Sequence, residues 1–159
     1  MRVAVTGTRT MNARVENSIR LVIPLIACDD AVEEMRFGGA IGSDTLALKV
    51  AGDYLRTIGK STDLSVFLPW AVASQPIEAQ EVIGEYATII VENCGLGKEH
   101  PWRARNEAMI LGIHDKPRVD SLVAFWEGNK VRSGTYMTIN IARSNGIYIY
   151  DAVTGLSIR

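Results

Sequence analysis

The chain has 159 residues, of which 47% are hydrophobic and 22% charged, and its formal net charge is −1. This composition is typical of one globular domain. It excludes a membrane-spanning protein, because no apolar run approaches the roughly 20 residues that a bilayer requires. It also argues against a protein with the broad basic surface that coats nucleic acid, so we expect a nucleic-acid partner to be unlikely.

Two cysteines and the first residues bear on the cellular setting. Cys28 and Cys94 are too few for a disulfide framework, so we expect two free, largely buried thiols and a cytoplasmic protein. The chain enters a strand pattern directly after Met1, without the long apolar segment of a signal peptide.

Strand-like and helix-like segments alternate along the chain. Strands are predicted at 2–6, 34–38, 64–68, 121–126 and 147–150, and helices from about 12 and at about 43–59, 102–113 and 134–145. Ser43 or Asp44 is expected to cap the second helix. Alternating β and α units predict an α/β fold: a single domain over 1–159 with a doubly wound, mainly parallel sheet.

The segment 74–94 is ambiguous. Ala87–Val91 is rich in β-formers, but Ala79, Ile83, Tyr86 and Ile90 recur at helical spacing, and Pro76 suits a first helical turn. We predict a helix here.

Glycine or aromatic residues follow several of the predicted strands. Because the carboxyl ends of parallel strands meet at one edge of the sheet, we expect these turns to form one ligand site. Glycine lets backbone N–H groups approach an anion, and a helix N-terminus adds a favourable dipole. The candidate ligand-binding residues in these turns are Gly7, Thr8, Arg9, Gly38, Gly39, Ala40, Asp44, Trp70, Gly128, Ser133, Gly134 and Thr135.

Arg105 and Asn106, at the start of a predicted helix, complete the candidate site. Arginine offers paired donors to a phosphate, and asparagine can bond a base or a sugar hydroxyl. We expect Thr8, Gly39, Arg105, Ser133 and Thr135 to hold phosphates. A solvated first turn at Arg105 and a simple helix cap at Ser133 are the structural alternatives, and Asp44 too is more often a cap than a catalytic acid.

Three tryptophans and two histidines are the candidates for ring stacking and for metal binding. Trp70, Trp102 and Trp126 all fall in or beside the same turns, so at least one is expected to stack on a planar ring. His100 and His114 lack partners at ligand spacing, and no cysteine pair is present, so we predict no metal site and no cofactor.

Read in order, these motifs resemble the SLOG superfamily, the Rossmann-like group that includes DprA, the LOG enzymes and the small YspA/YpsA-like proteins. The likeness is strongest to the YspA-like branch. It lies in Gly7-Thr8-Arg9, in Gly38-Gly39-Ala40 with Gly42 and Asp44, in Pro69-Trp70, in Arg105-Asn106 with Met109, in Val123-Ala124-Phe125 and in Ser133-Gly134-Thr135 with Thr138. The resemblance implies a Rossmann-like domain that binds a nucleotide or a nucleotide-derived small molecule, often as a homo-oligomer.

Three departures from the family pattern qualify that expectation. Residues 71–101 are longer than expected and are predicted to form a helical lid. Thr138 stands where LOG enzymes carry a glutamate, which disfavours glycosidic hydrolysis because an oxocarbenium-like centre needs a carboxylate. The second domain and the basic surface of a DNA loader are missing.

Ligand sensing or sequestration is therefore the preferred function. A LOG-like nucleotide N-glycosidase, with Asp44 or Glu127 as its catalytic carboxylate, is the first alternative. DprA-like single-stranded DNA binding is the second.

Overall fold

The computed structural model describes residues 1–127 and 133–158. Within these residues, seven strands alternate with five α-helices. The elements are β1 (Arg2–Gly7), α1 (Ala13–Cys28), β2 (Glu34–Phe37), α2 (Ser43–Ile58), β3 (Asp63–Phe67), α3 (Ile77–Tyr86), β4 (Ile89–Val91), α4 (Pro101–Leu111), β5 (Ser121–Phe125), α5 (Gly134–Ser144), β6 (Tyr148–Asp151) and β7 (Leu156–Ile158).

The strands form one sheet in the order β4-β3-β2-β1-β5-β6-β7, and all neighbours are parallel except β6 and β7. Alternate residues of β1 face opposite layers: Val3 and Val5 pack in one hydrophobic cluster with α1, α2 and α3, whereas Ala4 packs in another with α4 and α5. The predicted doubly wound α/β domain is confirmed. Within the described residues, no helix has the length and apolar character needed to cross a bilayer.

The order of the strands reverses at β1, with β2 on one side and β5 on the other. The connections after β1 and β5 therefore lead away from each other and leave a crevice at the carboxyl ends of these strands. The carboxyl ends of the parallel strands are called the carboxyl edge below. The crevice is where an open α/β sheet is best shaped to bind a ligand.

The prediction of one helix over 74–94 is wrong. Only Ile77–Tyr86 is helical; Ile89–Val91 forms edge strand β4, paired with β3. Helical spacing misled the prediction because the edge strand is short and its middle residue, Ile90, is 42% exposed. Since α3 packs on α2 and β4 extends the sheet, this part of the predicted lid belongs to the main layers. The lid stays a prediction for residues 92–100.

Three smaller expectations also need correction. Gly42, rather than Ser43 or Asp44, is the N-cap residue of α2, because the Ser43 hydroxyl donates to the Thr8 carbonyl and the Asp44 carboxylate accepts from the Ala40 N–H. Cys28 is exposed, whereas Cys94 is buried. Antiparallel strand β7 was not predicted at all.

The homo-oligomer and the cytoplasmic setting stay predictions.

Candidate functional site

A cavity of about 420 Å³ occupies the crevice at the carboxyl edge. Its walls come from four places in the chain: the β1–α1 loop, the β2–α2 turn, the start of α4 and the start of α5. Ten of the predicted ligand-binding residues line it: Gly7, Thr8, Arg9, Ala40, Asp44, Arg105, Asn106, Ser133, Gly134 and Thr135. The structure thus brings together turns that lie as far as 127 residues apart (from residue 7 to residue 134).

Three other predicted residues lie directly behind this wall. The Gly38 carbonyl accepts a hydrogen bond from the Arg105 guanidinium. Gly39 has a φ of +66° and packs against the Leu68 side chain, so the turn needs glycine there. Trp70 contacts another tryptophan that lines the cavity, as described below. The fourth, Gly128, lies outside the described residues.

The deep end of the cavity is built around an ion pair. Arg105 Nη1 lies 3.8 Å from Asp44 Oδ2, and each residue is only 6% exposed. Burial raises the pKa of the Asp44 carboxyl, against the opposing effects of the Arg105 charge and of backbone N–H groups. Burial likewise lowers the pKa of Arg105. The structural alternative, a solvated first turn at Arg105, is therefore excluded, since this side chain is buried.

Gly38 makes this pair possible by letting α4 approach the β2–α2 turn. A Cβ atom at residue 38 would overlap the Arg105 guanidinium and lie 2.7 Å from Asp44 Oδ2. One turn further along α4, the Met109 carbonyl accepts at 3.2 Å from the fully buried Arg36, which also pairs with Glu34 at 2.8 Å. Helix α4 is thus held at two points to the carboxyl-terminal part of β2 and the turn that follows it.

One side of the cavity is aromatic and cationic. Trp102 is 38% exposed, and Trp70 packs against it edge-to-face with ring centroids 5.0 Å apart. The guanidinium carbon of the exposed Arg9 lies 5.1 Å from the Trp102 ring centroid, within cation–π range. Trp126 lines the cavity as well. Two tryptophans therefore face the cavity, and Trp70 supports one of them from behind.

The start of α5 forms the remaining wall. The Ser133 side chain accepts from the Tyr136 N–H at 3.1 Å, which is the helix-cap arrangement that the sequence left open. Thr138, at the position of the LOG glutamate, is buried and donates to the Gly134 carbonyl at 2.9 Å. The first backbone N–H groups of α5 and their dipole are placed to attract an anion.

Carboxylates near the cavity bear on the enzyme alternative. Among the described lining residues, Asp44 is the one carboxylate. Glu127 is exposed and accepts from the Asn12 side chain at 2.9 Å. Glu107 pairs with Arg103 at 2.9 Å, one turn along α4. Across residues 1–127 and 133–158, no group of three or more His, Cys, Asp or Glu is arranged to hold a metal ion.

Three lining residues were not predicted from the sequence, Thr6, Thr10 and Met137, and Thr138 was named only as a motif position. Thr6 and Thr10 flank the Gly7–Arg9 motif, and Met137 lies one helical turn beyond Ser133. Their positions next to recognised motifs were the available signal.

Comparison with known proteins supports the fold assignment. No family model and no curated protein matches the chain. Among solved structures, DNA processing protein A from Helicobacter pylori matches with a TM-score of 0.69 at 20% identity, over 94% of this chain and 64% of that chain. DprA from Streptococcus pneumoniae matches with a TM-score of 0.66, also at 20% identity, over 94% of this chain and 49% of that chain.

These likenesses define the class of fold. The domain is a DprA-like Rossmann-like fold, and the chain spans less than two thirds of the length of either solved protein. The Helicobacter pylori structure is described in terms of its single-stranded DNA binding mode.

The expectation that a nucleic-acid partner is unlikely is therefore corrected. It used the net charge of the whole chain, but a DprA structure described as binding single-stranded DNA shares this fold. Phosphate contacts depend on where the cations lie, and Arg9 and Arg105 meet at one cavity despite the overall balance.

Proposed function

We propose that this domain binds single-stranded nucleic acid through the carboxyl-edge cavity. The observation that carries the proposal is the wall formed by Arg9, Trp102 and Trp126 at the topological switch point of a DprA-like fold. Proteins that bind single strands combine cationic groups for the backbone with aromatic rings on which bases stack. Both groups are present here on one surface.

Phosphate groups would lie at the outer part of the cavity. Arg9 is exposed and close to the Thr8 side chain and to the start of α5. The backbone N–H groups of Gly134 and Thr135 at the start of α5 are further donors that suit a phosphate oxygen. A backbone held there would place its bases beside Trp102 and Trp126.

A polymer fits the surface beyond the cavity. A second cavity of about 470 Å³ lies between α4 and α5 and shares Ser133, Gly134 and Met137 with the first. A strand that leaves the first cavity therefore has an adjacent depression in which further nucleotides would lie. The second depression also contains Asn140 and Arg103, and Arg103 is paired with Glu107 at 2.9 Å, so polar contacts are available there without a high charge density.

The direct test is fluorescence anisotropy with a labelled single-stranded oligonucleotide at two salt concentrations. We expect saturable binding that weakens as salt rises, because each neutralised phosphate releases counterions. Arg9→Ala should weaken binding about tenfold and reduce the salt slope by about one. Arg20→Ala is the matched control, since Arg20 is exposed on α1 and pairs with Glu16 rather than facing the cavity. Absence of binding at low salt would overturn the proposal.

A second candidate is the binding of a nucleotide or nucleotide-derived small molecule. The cavity of about 420 Å³ is within the usual range for small-ligand sites. Competition separates the two functions: a mononucleotide that binds as tightly as the oligonucleotide favours the small ligand, and a large gain in affinity with strand length favours the polymer.

We also infer that the chain belongs to the YspA-like branch of the SLOG superfamily. The support is the order of its motifs along the chain together with their meeting at one cavity.

A further inference from the structure

We infer that Asp44 and Arg105 bind the hydrogen-bonding edge of one nucleic-acid base at the deep end of the cavity, while phosphates stay at its outer part. This inference rests on the proposed nucleic-acid binding and adds to it the chemical group that the deepest side chains recognise. It also changes the role expected of Arg105, which the sequence assigned to phosphate.

Two buried polar atoms of this pair have no partner. Asp44 Oδ1 and Arg105 Nε are fully shielded from solvent and make no hydrogen bond to any described residue. Both residues line the cavity. Buried polar atoms are nearly always hydrogen-bonded, since leaving one unsatisfied destabilises the fold. Because both atoms are covered in this structure, a ligand at the deep end must displace the side chains over them; a ligand that then supplies one donor and one acceptor would satisfy both.

A phosphate does not meet this requirement. A phosphodiester carries only acceptors at neutral pH, so it cannot donate to Asp44 Oδ1 and would be repelled by the carboxylate. The Arg105 charge is already balanced by the Asp44 carboxylate at 3.8 Å, and Arg105 Nη1 donates a hydrogen bond to the Gly38 carbonyl. The deep end of the cavity therefore suits a neutral group, and the exposed Arg9 is the better phosphate partner.

A base meets the requirement in both shape and chemistry. Each nucleic-acid base carries a donor beside an acceptor on its Watson–Crick edge, and unstacked bases are commonly recognised by that edge and by aromatic stacking. Trp102 and Trp126 line the same cavity and provide aromatic surface. Trp126 Nε1 is a third buried polar atom without a described partner, and it can donate to the same ligand.

The test compares three unlabelled oligonucleotides as competitors of a labelled strand: oligothymidylate, the same strand with N3-methylthymine at each position, and an abasic strand of equal length. N3-methylation removes the donor of the base edge and leaves the backbone unchanged. We expect the methylated strand to compete about tenfold less well than oligothymidylate with the wild-type protein. The abasic strand should compete less well still, because it also lacks a ring to stack.

Asp44→Asn supplies the second measurement. An amide that keeps its oxygen on the Ala40 N–H presents a donor to the ligand, so the variant should no longer prefer thymine to N3-methylthymine. Asp30→Asn is the matched control, because Asp30 is exposed and paired with Lys60 away from the cavity. The comparison of strands with the wild-type protein stands even where Asp44→Asn does not fold.

The outcomes distinguish the two proposals. Equal competition by thymine and N3-methylthymine strands, or by the abasic strand, would overturn base recognition while leaving nucleic-acid binding intact. Weaker binding caused by removal of the terminal sugar hydroxyl, with no effect of methylation, would assign the pair to a sugar and overturn the inference. Failure of every strand to bind would overturn the proposed function itself.

Discussion

Arg105 on α4 and Asp44 on α2 face each other across the deep end of the cavity, with 3.8 Å between Nη1 and Oδ2. These residues come from opposite layers of the sheet, so their contact joins the two halves of the fold at the candidate site. Both are buried, which makes the pair sensitive to the loss of either partner. The same pair therefore has consequences for stability as well as for ligand binding.

Removal of Arg105 should destabilise the fold. Arg105→Met leaves the Asp44 carboxylate buried beside an uncharged side chain, and breaking a buried pair in this way typically costs about 3–5 kcal/mol. Arg103→Met is the matched control on the same helix, because the Arg103–Glu107 pair is exposed and should contribute about 1 kcal/mol or less. Urea unfolding of both variants measures the difference. Equal small losses would show that the buried pair contributes little.

Periodicity and turn residues were sufficient to predict five of the seven strands and most helices. β1 and β5 are near-continuous buried apolar runs and α2 has apolar residues at helical spacing, and the observed ends of all three lie within two residues of the predicted ones. Strand β7 has three residues, two of them exposed, and is defined only by its pairing with β6. Such a strand carries no pattern of its own.

The gathering of the glycine turns could be predicted because parallel strands end at one edge. The burial of Arg105 could not, since it depends on how closely α4 approaches Gly38. Charge counts were misleading for a similar reason: they do not show that Arg9 lies over Trp102, which follows from the meeting of the β1–α1 loop with the start of α4.

Glu34 should control stability in acid. It accepts hydrogen bonds from Arg36, Ser65 and Lys116. Burial acts to raise the pKa of this carboxyl, but the hydrogen bonds and the Arg36 charge outweigh it and hold the pKa below the usual 4.5. The folded state therefore binds fewer protons than the unfolded state, so this stabilisation is present above pH 4.5 and is lost as the pH falls through the folded pKa.

Glu34→Gln should lower the free energy of unfolding at neutral pH and flatten its decline below pH 4.5. Urea unfolding at a series of pH values measures both effects. Glu33→Gln is the control, because the side chain of Glu33, the residue next to Glu34, is 70% exposed. Parallel curves for the wild type and Glu34→Gln would show that Glu34 titrates alike in both states.

Gly39 and Gly59 offer a matched pair of glycine substitutions. Their φ angles are +66° and +67°, so alanine meets the same backbone strain of about 1–2 kcal/mol at either position. A Cβ at residue 59 meets open space, whereas one at residue 39 would overlap the Leu68 side chain and lie 3.0 Å from Val66 Cγ1. Gly39→Ala should therefore cost about 1–3 kcal/mol more than Gly59→Ala. Equal shifts in the unfolding midpoint would show that the core around Leu68 yields easily.

Trp102 should report ligand binding directly. Its ring is 38% exposed, lies beside Arg9 and lines the cavity. A base stacked on it should quench tryptophan fluorescence, and Trp102→Ala should weaken oligonucleotide binding by about 1–3 kcal/mol, the usual contribution of one stacked base.

Tyr148→Ala controls for the loss of an aromatic side chain, because Tyr148 is 59% exposed at the start of β6, on the opposite edge of the sheet. The two variants should unfold at similar urea concentrations if Trp102 acts through the ligand rather than through the core. Full affinity in Trp102→Ala would exclude stacking on this ring, and retention of the quench in that variant would assign the signal to Trp70 or Trp126. Because Trp70 contacts Trp102 but does not line the cavity, we expect it to contribute little to the quench, so that a signal left in Trp102→Ala comes from Trp126.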